Sequence, residues 1–323
     1  HRGIHRVHIQ RPAHAVGQDV ELLAAGICMK YISVGDAAKK WNVSERSARD
    51  YCLNARIPGV IREGKSWKIP EDARKPQRKK RAGKVSTDLL TRLKQEKDSA
   101  ISGGIYHKVQ IELTYNSNHM EGSRLTHDQT RYIFETNTIG VQNELLNVDD
   151  IVETANHFRC VDQVIELANY PLSEAFIKQL HLILKSGTSD SRKSWFAVGE
   201  YKRVPNEVGG GETTKPEDVH KEMRKLLQQY NTEKEKTLEE IIEFHYQFEK
   251  IHPFQDGNGR VGRLILFKEC LRNGIVPFII EDDIKEFYYR GLKEWKSERG
   301  YLIGTCLTAQ DRFKQYLDYF NLV

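Results

Sequence analysis

His252-Pro253-Phe254-Gln255-Asp256-Gly257-Asn258-Gly259-Arg260-Val261-Gly262-Arg263 places a proton acceptor, a carboxylate, a glycine-rich turn and two guanidiniums within twelve residues. An imidazole is the side chain best poised to take a proton near neutral pH. One carboxylate together with substrate phosphates is the usual way Mg²⁺ is held, and Asp256 offers that ligand. Gly257, Asn258 and Gly259 tolerate positive φ, so successive backbone N–H groups can converge on an anion. The apolar run Leu264-Ile265-Leu266-Phe267 follows and reaches Asn273-Gly274, a helix stop signal. The turn therefore predicts a phosphate site at a helix N-terminus, where the dipole adds to anion affinity. Arg260 and Arg263, three apart, share one face of that helix and suit phosphate oxygens. Any one of these residues alone would fit a buried turn with a core His and surface arginines. The ordered set fits one mechanism.

The run resembles the motif of the Fic family, His-x-Phe-x-(Asp/Glu)-Gly-Asn-Gly-Arg-x-x-Arg, and meets every specified position. The resemblance extends over roughly Gly104 to Asn321. It implies an all-α Fic fold and transfer of AMP from ATP to a protein hydroxyl. It implies that His252 deprotonates the acceptor and that Asp256 binds Mg²⁺. Asn258 with the Gly257 and Gly259 amides would hold the α- and β-phosphates. Arg260 would meet the β-phosphate and Arg263 the γ-phosphate. Relatives that phosphorylate lose the second motif glycine, and Gly259 is present here.

Ser117-Asn118-His119-Met120-Glu121-Gly122 fits the inhibitory motif of the same family, Ser/Thr-x-x-x-Glu-Gly/Asn. Lying upstream of the core, it implies an N-terminal inhibitory helix whose Glu121 pairs with Arg263 and draws it from the γ-phosphate. Read alone, Gly122 is an ordinary helix C′ residue. The segment 199–211, rich in Gly and Pro with a Val/Tyr pattern, predicts a β-hairpin flap. The resemblance implies that this flap, with Val208 and Gly209 beside the nucleotide, registers the target protein by strand addition. Tyr288-Tyr289 falls where the family often sets aromatics against adenine. The Asn some members carry after that pair has no counterpart, and Lys296 stands there.

The remaining chain frames this core. With 323 residues and 39% hydrophobic content it is long enough for two or three domains. Mean hydropathy is −0.61, and no run approaches the ~18 apolar residues of a membrane helix. Cys28, Cys52, Cys160, Cys270 and Cys306 are scattered without metal spacing, as reduced cytoplasmic thiols are. Residues 1–28 hold four of the twelve His and lack periodicity. They read as a leader or upstream extension before Met29, without the apolar segment of a signal peptide.

Residues 29–73 resemble a winged helix-turn-helix of the excisionase or MerR type. Ser33 caps one helix and Ser44 a second that presents Arg46 and Arg49, and a wing surrounds Glu63-Gly64-Lys65. Arg74, Lys75, Arg78, Lys79, Lys80, Arg81 and Lys84 then form a basic linker, so nucleic acid is a candidate partner of residues 29–84. Gly59 to Ser66 matches the P-loop pattern by letter. Trp67-Lys68-Ile69-Pro70 cannot continue it as a helix, so that match is refused.

The sequence thus predicts a leader (1–28), a winged helix-turn-helix (29–73), a basic linker with a helix (74–103) and an all-α Fic fold with a small β-hairpin flap (104–323). The expected protein is a cytoplasmic, self-inhibited adenylyltransferase using ATP and Mg²⁺, with no membrane partner and a homodimer as a candidate state. Two other readings stay open. Glu121 could instead align water to remove AMP, or the domain could sense ATP for a transcription regulator.

Overall fold

The computed structural model describes residues 30–53, 57–64, 66–76, 88–141, 145–209 and 211–322. The expected leader with Met29, and Lys65, Arg78, Lys79, Lys80, Arg81, Lys84 and Gly210, lie outside them. The chain divides into two compact units at residues 80 and 81.

The first unit runs β1 (Tyr31–Ser33), α1 (Val34–Trp41), α2 (Glu45–Leu53), β2 (Ile61–Glu63) and β3 (Ser66–Pro70). The Ser33 hydroxyl accepts the Asp36 N–H and starts α1. Asn42 stops it in the left-handed region, and Ser44 accepts the Ser47 N–H to start α2. The sheet is antiparallel in the order β1-β3-β2, pairing Tyr31 with Pro70 and Ile61 with Lys68. Ala37, Ala38, Trp41, Ala48, Cys52, Ile57 and Ile69 form its own core. Ser66–Pro70 is strand, so the P-loop lettering leads into no helix.

The second unit is mostly helical. It begins with α3 (Asp88–Asp98), α4 (Ile105–Met120), α5 (His127–Thr136), α6 (Val148–Glu166) and α7 (Glu174–Lys185). The helix expected within the linker is α3; it packs on α4 and α6 through buried Leu89 and Leu93. Next come the paired strands β4 (Glu207–Val208) and β5 (Gly211–Glu212), then α8 (Pro216–Tyr230) and α9 (Leu238–Ile251). The chain closes with α10 (Asn258–Arg272), α11 (Lys285–Glu294) and α12 (Gly300–Tyr319).

Helix α10 is the axis of this unit. Thirteen of its fifteen residues are buried, so it is apolar or paired on every side. It packs on α4, α6, α7 and α9. Each fully buried Leu, Ile or Phe along it contributes about 1.5–3 kcal/mol. Two of its four buried charges satisfy each other, with Lys268 donating to Glu269 at 2.7 Å. Lys268 also bonds the Ala168 and Tyr170 carbonyls just past the end of α6.

The N-terminus of α4 is held from outside. Gly104, its N-cap, has no side chain to cap with, and the buried Glu96 carboxylate of α3 accepts the Tyr106 N–H at 2.9 Å. A Cβ on Gly104 would lie 2.1 Å from that carboxylate, so a side chain there would displace the cap. No described helix is long and apolar enough to cross a membrane. Cys52, Cys160, Cys270 and Cys306 are buried free thiols.

Candidate active site

The site is built where α9 ends and α10 begins. Thr237 and Glu240 form a capping box that starts α9, with Ile241, Ile242, His245, Phe248 and Ile251 buried along it. His252 ends α9 as its C-cap, at φ 52, with its N–H on the Phe248 carbonyl. A non-glycine residue in that region marks a position fixed by its surroundings. Phe254 anchors the loop behind it, fully buried and stacked on His181 at 4.0 Å between ring centres.

Asn258 fixes the loop from the other side. Its Oδ1 accepts the Phe254 N–H at 2.8 Å and its Nδ2 donates to the Phe254 carbonyl at 2.9 Å. Both polar atoms of this buried side chain are thus engaged on the loop, which leaves its backbone N–H at the helix start. The amides of α10 remain available for an anion. The Val261 N–H bonds Gly257 at 3.1 Å, leaving the N–H groups before it at the helix start. Gly257 caps the helix at φ 79, a conformation that favours glycine.

Arg260 and Arg263 are both almost fully buried. Arg260 is bonded to Glu153 and reaches Asp256 Oδ2 at 3.2 Å. Burial opposes the Asp256 charge, but Arg260 and Lys185 outweigh it and pull the carboxyl down to about 2. Asp256 is thus ionised and half exposed, which fits a hard-cation ligand that substrate can reach. Oxygens of Glu153, Asp190 and Asp256 lie within 4.8 Å of one another, though Lys185 already bonds all three carboxylates.

Glu121 is bonded to Arg263. Arg263 Nη2 donates to Glu121 Oε1 at 2.7 Å and to the Ser117 carbonyl at 2.9 Å, and its Nε donates to Ser117 Oγ at 3.0 Å. Glu121 is the C-cap of α4, and Gly122 follows at φ 93. A Cβ placed on Gly259 would lie 2.3 Å from Glu121 Oε1 and 2.9 Å from Arg263 Nη1. The carboxylate therefore sits on the first turn of α10, where an anion is favoured.

The tyrosine pair divides. Tyr288 is 1% exposed, with its hydroxyl 2.6 Å from His245 Nε2, so it is a core residue rather than a face for adenine. Tyr289 is partly exposed and donates to the Met120 carbonyl at 3.0 Å, beside Glu121. The hairpin forms as predicted, pairing Glu207 with Glu212 and Val208 with Gly211. Val208 and Gly209 sit at its exposed tip, whereas the bonds to the motif run from its base. Lys202 N–H donates to the Pro253 carbonyl, Val204 N–H to Gln255 Oε1, and Asn206 Nδ2 to the Phe254 carbonyl.

Four groups escaped the sequence reading. Lys185 and Glu153 brace Asp256 and Arg260. Glu249 lies near Arg263, and burial pushes its carboxyl up to about 8, so it is largely neutral at pH 7 and leaves Arg263 to Glu121. Lys202 is buried on neutral partners, Asn206 Oδ1 and Thr213 Oγ1, each at 2.6 Å, and burial lowers its ammonium to about 8. One signal was readable: His181 and Lys185, four apart, both fall on the otherwise apolar inward stripe of α7.

Burial, and then the Lys202 charge, lower His252 to about 4. The imidazole is consequently neutral, and able to accept a proton, from about pH 5 upward. A nearby cation disfavours the imidazolium, so Lys202→Met is expected to raise this pKa. An NMR titration of His252 checks it, and an unmoved midpoint would leave burial as the sole cause.

Residues 171–269 match the Fic/DOC family. The chain is 29% identical to a protein adenylyltransferase Fic of Drosophila grimshawi over 215 residues, 62% of this chain and 39% of that protein. The Drosophila melanogaster protein of the same name is likewise 29% identical, over 62% of this chain and 38% of its own length. The chain thus spans about two fifths of the length of these curated relatives. Among solved structures, a Fic domain containing signaling protein from Bacteroides thetaiotaomicron aligns with a TM-score of 0.54 at 26% identity. That alignment covers 71% of this chain and 90% of the other. Fic-1 from C. elegans aligns at 0.55 with 18% identity over 72% and 70%, a likeness of fold.

Proposed function

We propose that this chain is a protein adenylyltransferase that moves AMP from ATP to a target-protein hydroxyl and is held in check by Glu121. The observation that carries the reading is the juxtaposition of neutral His252, ionised Asp256 and two buried arginines at the N-terminus of α10. His252 takes the proton of the acceptor hydroxyl, whose oxygen then attacks the α-phosphorus and expels pyrophosphate. The α10 amides and Arg260 neutralise charge that develops on the phosphates. Asp256 would hold Mg²⁺, which supplies further charge neutralisation on the phosphate oxygens.

The latch reading is supported by the Glu121 carboxylate lying on the Gly259 turn and on Arg263. It stands where a phosphate would be favoured and uses the arginine assigned to the γ-phosphate. Residues 30–76 remain a candidate nucleic-acid module on the strength of the α1–α2 pair, the β2–β3 hairpin and exposed Arg46 and Arg49, without support from the relatives.

Incubation with ATP labelled on the α-phosphate should mark protein, while label on the γ-phosphate should leave it unmarked. Marking by γ-label alone would replace the reading with phosphoryl transfer.

A further inference from the structure

Asp256 and Arg260 are not free-standing. Lys185, the last residue of α7, has a side chain only 2% exposed. Its ammonium bonds Glu153 Oε1, Asp256 Oδ2 at 2.7 Å and Asp190 Oδ2 at 2.9 Å. An ammonium carries three N–H donors, so three carboxylates use them all and none is left for a phosphate. Glu153 gives its other oxygen to Arg260, and Arg260 returns to Asp256 Oδ2. Lys185, Glu153, Arg260 and Asp256 therefore close a ring of alternating charge. Asp190 has a second partner in Lys193 at 2.6 Å, so three cations balance three carboxylates.

We propose that Lys185 is a positioning residue: it locks Asp256 and, through Glu153, Arg260 in the pose that meets the nucleotide, and it closes the three carboxylates to free divalent metal. The pose half of this rests on the proposed function, whereas the metal half does not. The physical ground is the geometry a hard cation needs. Mg²⁺ and Mn²⁺ gather carboxylate oxygens about one centre, and the ammonium holds that centre here. Removing the ammonium leaves three converging carboxylates short of one charge, a situation that strongly favours capture of another cation.

The test uses the full chain without nucleotide and Mn²⁺ as the probe, read by loss of the free-ion EPR signal. The unsubstituted chain and Lys185→Arg, which keeps the charge, should bind no Mn²⁺ at the triad. Lys185→Met should gain about one Mn²⁺ per chain, and the double variant Lys185→Met/Glu153→Gln should lose it again. In a Glu121→Gly background, Lys185→Met should raise the KM for ATP about tenfold while kcat moves less than threefold. A folded Lys185→Met chain that gains no Mn²⁺ overturns the proposal. So does an unsubstituted chain that already binds Mn²⁺ in a manner Glu153→Gln abolishes. Should Lys185→Met not fold, Glu153→Gln carries the test: loss of the Arg260 anchor should raise the KM for ATP about fivefold, and an unchanged KM overturns the positioning role. Failure of adenylyl transfer in every variant, with the Mn²⁺ pattern intact, would instead tell against the proposed activity.

Discussion

Glu121→Gly should raise AMP transfer by about 10- to 100-fold, equivalent to about 1.4–2.8 kcal/mol of barrier. The carboxylate occupies the first turn of α10 and bonds a nearly fully buried arginine. Breaking a buried pair by removing one partner costs about 3–5 kcal/mol. On the proposed reading the freed arginine has a substitute, since the γ-phosphate would supply the lost negative charge. The cost therefore falls on the nucleotide-free state and shrinks when ATP binds. Ser117 keeps two bonds to Arg263, so the guanidinium should not swing far in the variant. Incorporation of α-labelled ATP into protein measures the effect. Release of label from protein marked beforehand, compared between the unsubstituted chain and the variant, separates faster transfer from lost AMP removal. Equal incorporation by both chains would remove Glu121 from regulation.

His252→Ala, made in the Glu121→Gly background, should lower transfer by about 10²–10⁴-fold and leave ATP affinity within about threefold. The reasoning is spatial. The groups proposed to face the phosphates are the α10 amides, Arg260 and Arg263, and none of them is bonded to the His252 ring. The loop keeps its shape through Phe254 against His181 and through the paired bonds of Asn258. Single-turnover transfer and nucleotide titration on one preparation decide the matter. Parallel loss of rate and affinity would make His252 a structural cap rather than a base.

How legible the site was depends on where its parts lie in the chain. His252, Asp256 and both arginines occupy one contiguous run, so spacing placed them at a helix start. Glu121 was legible through its short motif, though only geometry shows it seated on Gly259. Lys185, Glu153 and Lys202 come from α7, α6 and the base of the flap. A charged residue on an amphipathic helix looks alike whether it will be solvated or buried in a ring of partners. Two side chains are turned by the same cause. Asn258 has a polar side chain, and the geometry of the turn bonds it to Phe254. Tyr288 belongs to a pair that suits a ligand face, but the helix turns that ring towards His245 and the core. In both cases tertiary packing, which local pattern does not encode, chose among uses that the side chain permits.

The stitching of the flap base has a further consequence. Residues 202, 204 and 206, alternate positions along the chain, are bonded to residues 253, 255 and 254 of the turn that follows His252. The chain entering the hairpin is thereby tied to the turn that follows the imidazole. A peptide lying along the hairpin would be measured from His252 as by a ruler, in steps of about 3.3 Å per residue. A slip of one step turns its side chain to the opposite face. Two adjacent hydroxyls in such a peptide would then differ by position alone, and only one of them would face the base.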